Sequence, residues 1–152
     1  MSQPTIACSS DASRTISAGG YTPGTNTSQT IQAEKFLAAG NVGFESTSDT
    51  GGGQDVGWID AGDWMRYAPV PVFSAGTYTL DFRVASPNAN QKLALVNRLT
   101  GATLATVTVP HTGGWQTWRT VSTSVSLPAG PIRFRIVAQT SGFNLNWFGY
   151  RR

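Results

Sequence analysis

Short runs that alternate between apolar and polar residues recur along the chain and constrain its fold more than any other feature. The runs 77–85 and 131–138 alternate with a period of two, and no stretch of ten residues shows a helical period. This alternation is typical of antiparallel strands with one buried face, and turn residues separate successive runs. We therefore predict an all-β chain, a β-sandwich or jelly roll. The predicted strands are 31–37, 56–60, 64–68, 77–85, 91–97, 103–109, 117–126, 131–138 and 144–150.

The composition excludes several other classes of protein. Only 12% of the 152 residues are charged, and the chain holds 17 Gly and 8 Pro, which argues against a helical bundle, a coiled coil or an acidic disordered tail. Cys8 is the only cysteine and His111 the only histidine, so internal disulfides, cysteine zinc clusters and most histidine-based catalysis are excluded. No apolar run approaches 18 residues, and we expect no membrane partner.

Two segments differ in composition. Residues 1–30 are rich in Ser, Thr and Gly and show little hydrophobic periodicity, so we predict that they form a lead-in or linker. The first residues lack the basic start and apolar core of a signal peptide. Residues 31–152 carry the strand pattern, and we expect them to form the folded module.

Charge is distributed unevenly along the chain. The net charge is +3, but residues 31–75 carry six acids against two basic residues, whereas residues 76–152 carry one acid against eight basic residues. The basic residues are dispersed among the predicted strands instead of lying along one element, so we expect no nucleic-acid partner. Carboxylates among glycine turns suit a hard cation.

Two predicted strands carry oxygen-bearing side chains at a spacing of two residues. Gln32 and Glu34 would share one strand face. Near the C-terminus, Asn144 and Asn146 would share a face, with Phe143, Leu145 and Trp147 on the other. If the two strands are neighbours, these oxygens could form part of a calcium site that backbone carbonyls and water complete. The alternative is that both are ordinary polar outer faces.

The five tryptophans are the other candidates for function. Trp115 and Trp118 lie three residues apart and would point to opposite faces of a strand; we expect Trp118 in the core and Trp115 exposed beside a glycine loop. Trp58 and Trp64 flank the turn 60–63. An exposed indole at a loop suits stacking against a sugar ring. The alternative is that all five are core anchors.

The longest motif, residues 49–64 (DTGGGQDVGWIDAGDW), resembles the DTGGGxNVGxIDxGDW signature of family 6 carbohydrate-binding modules. Further blocks occur in the order typical of that family, and together they cover residues 31–152. The resemblance implies a jelly-roll β-sandwich, here of about nine to ten antiparallel strands in two sheets. It also implies a structural calcium ion (Ca²⁺). The further blocks are 31–34, 83–86, 112–118, 127–130 and 143–148.

The resemblance also implies a role for individual residues. Two aromatics in the family's loop cleft clamp a sugar ring, and their positions match Trp58 and Trp115, with Glu45 and Asn144 as polar partners. A second cleft in some members uses an aromatic at the position of Trp64 together with an acid, and no acid occurs around 95–97 in this chain. The implied calcium ligands are Gln32, Glu34, the backbone carbonyl of Gln54, and Asn146.

We therefore predict a non-catalytic module that binds a polysaccharide or oligosaccharide, at a chain end, and directs a linked glycoside hydrolase or lyase to it. Among ligands, β-1,3-glucan ranks first, and agarose or xylan next. We expect an extracellular protein, because the family's members belong to secreted enzymes, and a monomer. The alternatives are a glycan-active catalytic domain that uses Glu45 and an Asp, and a purely structural or interaction sandwich.

Overall fold

The computed structural model describes residues 28–152, which form thirteen strands and one 3-10 turn, Ala33–Lys35. This is more than the nine to ten strands that we predict. Several of the strands have only three or four residues, and a segment that short shows no alternation of apolar and polar residues from which a strand can be predicted. The predicted strand 131–138 is divided at Arg133, where the chain leaves one sheet for another. The strands are β1 Ser28–Gln32, β2 Ala38–Gly40, β3 Gly43–Ser46, β4 Gln54–Gly57, β5 Trp64–Arg66, β6 Val70–Val72, β7 Gly76–Ala85, β8 Gln91–Asn97, β9 Thr103–Val109, β10 Arg119–Leu127, β11 Gly130–Ile132, β12 Phe134–Ala138 and β13 Asn144–Arg151.

Two antiparallel sheets form the two layers. One has six strands in the order β10-β7-β13-β4-β3, with β1 also paired to β13, and the other has five in the order β2-β5-β12-β8-β9. A two-stranded ribbon, β6 with β11, accompanies them. The rings of Phe134 and Phe148 meet edge to face across the layers with centroids 6.0 Å apart. The predicted all-β antiparallel sandwich is confirmed.

The core lies between the two sheets and is filled by alternate residues of each strand. In β7, Tyr78, Leu80, Phe82 and Val84 are all buried, while the residues between them are more exposed. Phe82 stacks on Phe148 of the adjoining β13 at 6.1 Å. Each such side chain contributes about 1.5–3 kcal/mol when it is fully buried. This continuous apolar layer holds the loops at the end of the sandwich in place.

A register shift in β13 changes which side chains face the core. The pairing of β13 with β7 is irregular between Leu145 and Trp147. Leu145 and Phe148 are both fully buried, whereas Trp147 is partly exposed. The prediction that Trp147 faces the same way as Phe143 and Leu145 is therefore wrong, because a β-bulge inserts one extra residue and reverses the alternation beyond it.

The first strand begins at Ser28, within the segment 1–30 that we predict as a lead-in, and ends at Gln32. Residues 33–35 form the 3-10 turn, so the predicted strand 31–37 is wrong beyond Gln32. Residues 1–27, with Cys8, lie outside the described residues. Within residues 28–152, no helix has the length and apolar character needed to cross a membrane.

Candidate functional site: a loop cleft and a neighbouring polar pocket

One cleft of about 300 Å³ is lined by Glu45, Trp58, Trp115 and Asn144. Strand β3 supplies the glutamate, the loop after β4 supplies Trp58, the loop before β10 supplies Trp115, and the start of β13 supplies the asparagine. These four residues are far apart in the sequence. The structure thus brings together all four residues that the resemblance assigned to sugar binding.

Trp58 is one wall of the cleft and is held in an unusual backbone conformation. It follows the last residue of β4, its φ is 52°, and 64% of the residue is exposed. A side chain at Gly43 would lie 3.0 Å from Cε3 of the indole, so the ring rests close against the backbone of β3. A non-glycine residue with positive φ is uncommon, and such residues are concentrated at functional sites.

Trp115 is the other wall, 48% exposed, and its loop is fixed by hydrogen bonds on two sides. The buried Asn144 donates from Nδ2 to the carbonyl oxygen of Trp115 at 2.9 Å. The next residue, Gln116, donates from Nε2 to Oδ2 of Asp55 at 2.8 Å. Gln116 also accepts, through Oε1 from the backbone N–H of Ser48 at 2.8 Å and through its carbonyl oxygen from the Ser48 hydroxyl at 3.0 Å.

The floor of the cleft is polar. Asn144 Nδ2 also lies 3.5 Å from Oε1 of Glu45, so the amide and the carboxylate are neighbours. A Cβ at Gly57 would approach Asn144 Oδ1 to 3.0 Å and Glu45 Oε1 to 3.4 Å. Glycine at position 57 therefore leaves the room in which these two side chains sit side by side.

Asp55 is the buried acid behind this floor. It pairs with Glu45 across strands β3 and β4 and is fully buried. Burial raises its pKa to about 6, the negative charge of Glu45 adds to the rise, and the hydrogen bond from Gln116 opposes it. Sequence analysis missed both Asp55 and Gln116 as parts of the site. The available signals were the Asp at position 55, where the family signature has Asn, and the position of Gln116 between two tryptophans.

A second, polar pocket of about 310 Å³ adjoins the glycine turn of the long motif. It is lined by three of the four predicted calcium ligands, Gln32, Glu34 and Asn146. Gln54 is not among its lining residues, although the preceding Gly53 is. The pocket also includes Thr30, Thr50, Gly51, Gly52 and Trp147.

The donor set of this pocket fits a cation. Oε1 of Glu34 and Oδ1 of Asn146 are buried and have no hydrogen-bond partner among the described residues. Asn146 Nδ2 donates to Oδ2 of Asp49 at 2.8 Å, and this bond leaves Oδ1 as the unused atom. Arg83 pairs with both oxygens of Asp49, at 2.7 and 2.8 Å, and its hydrogen bonds lower the pKa of that carboxyl.

Within residues 28–152, no group of three or more His, Cys, Asp and Glu is placed to hold a metal ion. A cation here would depend on amide and backbone oxygens beside the single carboxylate of Glu34, and Ca²⁺ accepts all three kinds of oxygen. The prediction that Gln32 and Glu34 share a strand face is wrong, because Glu34 lies in the 3-10 turn and only Gln32 is in a strand. Both side chains nevertheless line the same pocket.

The remaining tryptophans differ from expectation. None of the five belongs to the buried core, so the alternative in which all are core anchors is wrong. Trp118 is partly exposed and donates from Nε1 to Gln116 Oε1 at 3.2 Å, so its predicted core position is also wrong. Trp64 lies outside both pockets, on the outer face of the five-stranded sheet, whose five strands contain no acid.

A β-sandwich whose cleft has two exposed indole walls and a polar floor has the architecture of a sugar-binding module. The sequence matches the family described as carbohydrate binding module (family 6) over residues 32–152. The chain belongs to family 6 of the carbohydrate-binding modules. The predicted family is thus confirmed.

Solved structures of this family resemble the chain closely. A carbohydrate-binding module from Cellvibrio mixtus lichenase 5A, in complex with cellotriose, is 44% identical with a TM-score of 0.79, covering 82% of this chain and 96% of that one. A β-1,3-glucan-binding module from Bacillus halodurans is 36% identical with a TM-score of 0.75, covering 82% and 96%.

Among curated relatives, the clotting factor G alpha subunit of Tachypleus tridentatus is 39% identical over 120 residues. That match covers 79% of this chain but only 18% of the relative, so the chain spans less than a fifth of that protein's length. Family 6 modules bind carbohydrate and are not catalytic. The prediction of a non-catalytic module is therefore confirmed, and the alternatives of a catalytic domain and of a purely structural sandwich are wrong.

Proposed function

We propose that the loop cleft binds a β-glucan by clamping one sugar ring between Trp58 and Trp115, with β-1,3-glucan as the first candidate and agarose or xylan next. The observation that carries this proposal is the convergence of two exposed indoles on one cleft with Glu45 and Asn144. The likeness to a module that is described as binding β-1,3-glucan supports the ranking.

The chemistry of the cleft suits a pyranose ring. Indole faces bury the apolar C–H faces of a sugar. The Glu45 carboxylate accepts hydrogen bonds from hydroxyls, and charge-assisted bonds of this kind give direction to recognition. Asn144 Nδ2 already donates to the carbonyl oxygen of Trp115 and lies beside Glu45. Its Oδ1 is therefore the atom that can accept a hydrogen bond from a sugar hydroxyl.

We expect the cleft to bind a chain end. Its walls come from loops at one end of the sandwich and not from the face of a sheet, so it encloses one ring and leaves little room for a chain to run through. Glu45 and Asn144 would then contact hydroxyls that are exposed only where the polymer stops.

Calcium is the second part of the proposal. The ion would be held by Gln32, Glu34, the backbone carbonyl of Gln54, and Asn146, and the two unpartnered buried oxygens support this assignment. Its role would be structural, because it would connect the end of β1 with β13. The ion would supply positive charge to oxygens that otherwise have no partner.

The module would hold a linked glycoside hydrolase or lyase close to its polysaccharide. Tethering raises effective concentration, so modest affinity is sufficient. We propose that the full-length protein is extracellular and that the module is a monomer, in keeping with the sequence-based expectation.

Titration calorimetry with laminari-oligosaccharides, which are short β-1,3-glucan chains, tests whether Trp58 and Trp115 clamp the sugar. Trp115→Ala should weaken binding by about 2–4 kcal/mol, a loss of roughly 30- to 800-fold, because a central aromatic contact is removed. The melting temperature should change little, because the side chain is half exposed. Trp64→Ala, at a partly exposed tryptophan outside the cleft, is the matched control. Wild-type affinity in Trp115→Ala, or an equal loss in Trp64→Ala, would contradict the assignment.

A further inference from the structure

Two arginines face each other on the outer surface of the five-stranded sheet. Arg66 of β5 pairs directly with Arg135 of β12. Their neighbours Met65 and Ile136 also pair and are fully buried, so the arginines point away from the core. Side chains directly opposite in antiparallel strands have Cβ atoms about 4.5–5.5 Å apart, and like charges in that position repel.

No acidic residue balances this pair within its sheet. The five strands carry Lys92 and the two arginines but no Asp or Glu. Among residues 28–152, neither arginine side chain forms an ion pair or a hydrogen bond, and Arg135 Nε is buried without a partner. Asp63, which precedes β5, is buried and accepts a hydrogen bond from the backbone of Asp60.

Trp64 fixes one member of the pair. The Arg135 guanidinium lies over the Trp64 ring, 5.0 Å from its centroid. A Cβ at Gly40, the residue paired with Trp64, would lie 2.8 Å from Nε1, so the indole rests against the neighbouring strand. A guanidinium stacked on an aromatic ring loses little further freedom when it binds an anion. Its terminal N–H groups lie in the plane of the guanidinium and stay available to donate.

We propose that this face binds an anionic polysaccharide, with Arg66 and Arg135 donating to a sulfate or carboxylate group of a sugar unit. Such a group would remove the repulsion between the two guanidiniums. Arginine forks match the geometry of planar or tetrahedral oxyanions. The site is separate from the loop cleft and would add an acidic-glycan specificity to the proposed glucan binding.

Affinity electrophoresis of the full chain tests this site. The probes are κ-carrageenan, a sulfated galactan; agarose, a nearly unsulfated galactan; and polygalacturonate, which carries carboxylates. The test uses a Trp58→Ala/Trp115→Ala background so that the loop cleft does not contribute. We expect retardation by one or both anionic polymers but not by agarose, and a decline with added salt because the contacts are between partly exposed charges at the surface.

Single substitutions then locate the site. Arg66→Gln and Arg135→Gln should each weaken retardation by about tenfold, the effect of losing one charge-assisted hydrogen bond. Arg119→Gln, which removes an exposed arginine from the other sheet, is the matched control and should remain within about twofold. The melting temperature should not fall in Arg66→Gln, because removing one charge relieves the repulsion; in Arg135→Gln the lost stacking on Trp64 offsets that relief.

The outcomes separate this proposal from the proposed function. Retention by neither anionic polymer, or an equal loss in Arg119→Gln, overturns the anionic site. Equal retention by double-stranded DNA with the same salt dependence also overturns it, since the attraction would then be general for polyanions. If instead neutral glucans fail to bind the wild-type chain while the arginine-dependent retention is present, only the loop-cleft function is wrong.

Discussion

Gln116 uses both ends of its side-chain amide and thereby joins the Trp115 loop to strand β4 and to the segment that follows β3. The Nε2 group binds the buried Asp55, and Oε1 accepts from Ser48. Gln116 is not among the residues that line the cleft, so we regard it as a residue that positions Trp115.

The first prediction at this scale concerns Gln116→Ala. Loss of the bond to Asp55 leaves a buried carboxylate without that donor, and a hydrogen bond to a charged group contributes about 1.5–3 kcal/mol. We expect laminari-oligosaccharide affinity to fall by about tenfold as the loop loosens. Calorimetry and Trp fluorescence anisotropy together measure affinity and loop motion.

Two further variants make this test specific. Gln116→Glu keeps the acceptor for Ser48 but replaces the donor to Asp55 with a second carboxylate, so it should weaken binding at least as much as Gln116→Ala. Gln139→Ala, at an exposed glutamine elsewhere, should have no effect. Unchanged affinity in both Gln116 variants would show that Trp115 is held by the Asn144 bond alone.

At the scale of elements, β1 depends on one neighbour. It pairs along its whole length with β13, and its last residue, Gln32, pairs with Trp147 beside the polar pocket. We expect removal of calcium to lower the melting temperature and to fray β1. A ligand that binds only the folded state stabilises it by about 2.7 kcal/mol at a hundredfold excess over its dissociation constant.

Melting curves with and without EDTA, with metal content checked by elemental analysis, measure this effect, and hydrogen exchange of the β1 amides locates it. Glu34→Gln should abolish most of the EDTA-dependent shift. Glu45→Gln removes the same charge from the loop cleft and should leave the shift intact. An identical melting curve for the metal-free chain would remove calcium from the proposal.

Strand alternation predicted the long elements well and the short ones poorly. The patterns of β7 and β12 are recovered because burial dictates every second residue over five or more positions. The bulge in β13 has no mark in the sequence, since one inserted residue changes the pairing and not the composition. Trp118 was misplaced because its position just before β10 is irregular, so strand parity does not apply.

The site shows the same division. Family motifs identified Glu45, Trp58, Trp115 and Asn144, which no spacing argument could have joined, because they come from four separate segments. The hydrogen bond that fixes the Trp115 loop was not predicted, because its partners, Asp55 and Gln116, are 61 positions apart in the sequence. Contacts of this kind depend on the fold and become visible only when the sheets are assembled.

At the scale of the whole molecule, end recognition predicts how binding scales with polymer length. A cleft that encloses one ring should bind a short β-1,3-glucan oligosaccharide about as tightly, per chain end, as the parent polymer. Stacking depends little on long-range charge, so affinity for neutral glucans should barely change between low and high salt. Titration calorimetry counts bound modules against chain ends at both salt concentrations.

The contrary result has a clear form. If the number of bound modules grew with polymer length at a fixed concentration of chain ends, the cleft would not be specific for the end of the chain. Repeating the titration with Trp64→Ala would then show whether the outer face of the five-stranded sheet binds the interior of the chain.

The antiparallel pairing of Ser28 with Arg151 places both ends of the folded module side by side. Force applied through the two ends would unzip β1 from β13 rung by rung, beginning at Ser28 and Arg151, instead of shearing all rungs together. The last of the five pairs is Gln32 with Trp147, at the wall of the polar pocket. An ion held there would therefore resist the separation of this last pair. The force needed to unfold the module in an optical trap should decrease when calcium is withdrawn.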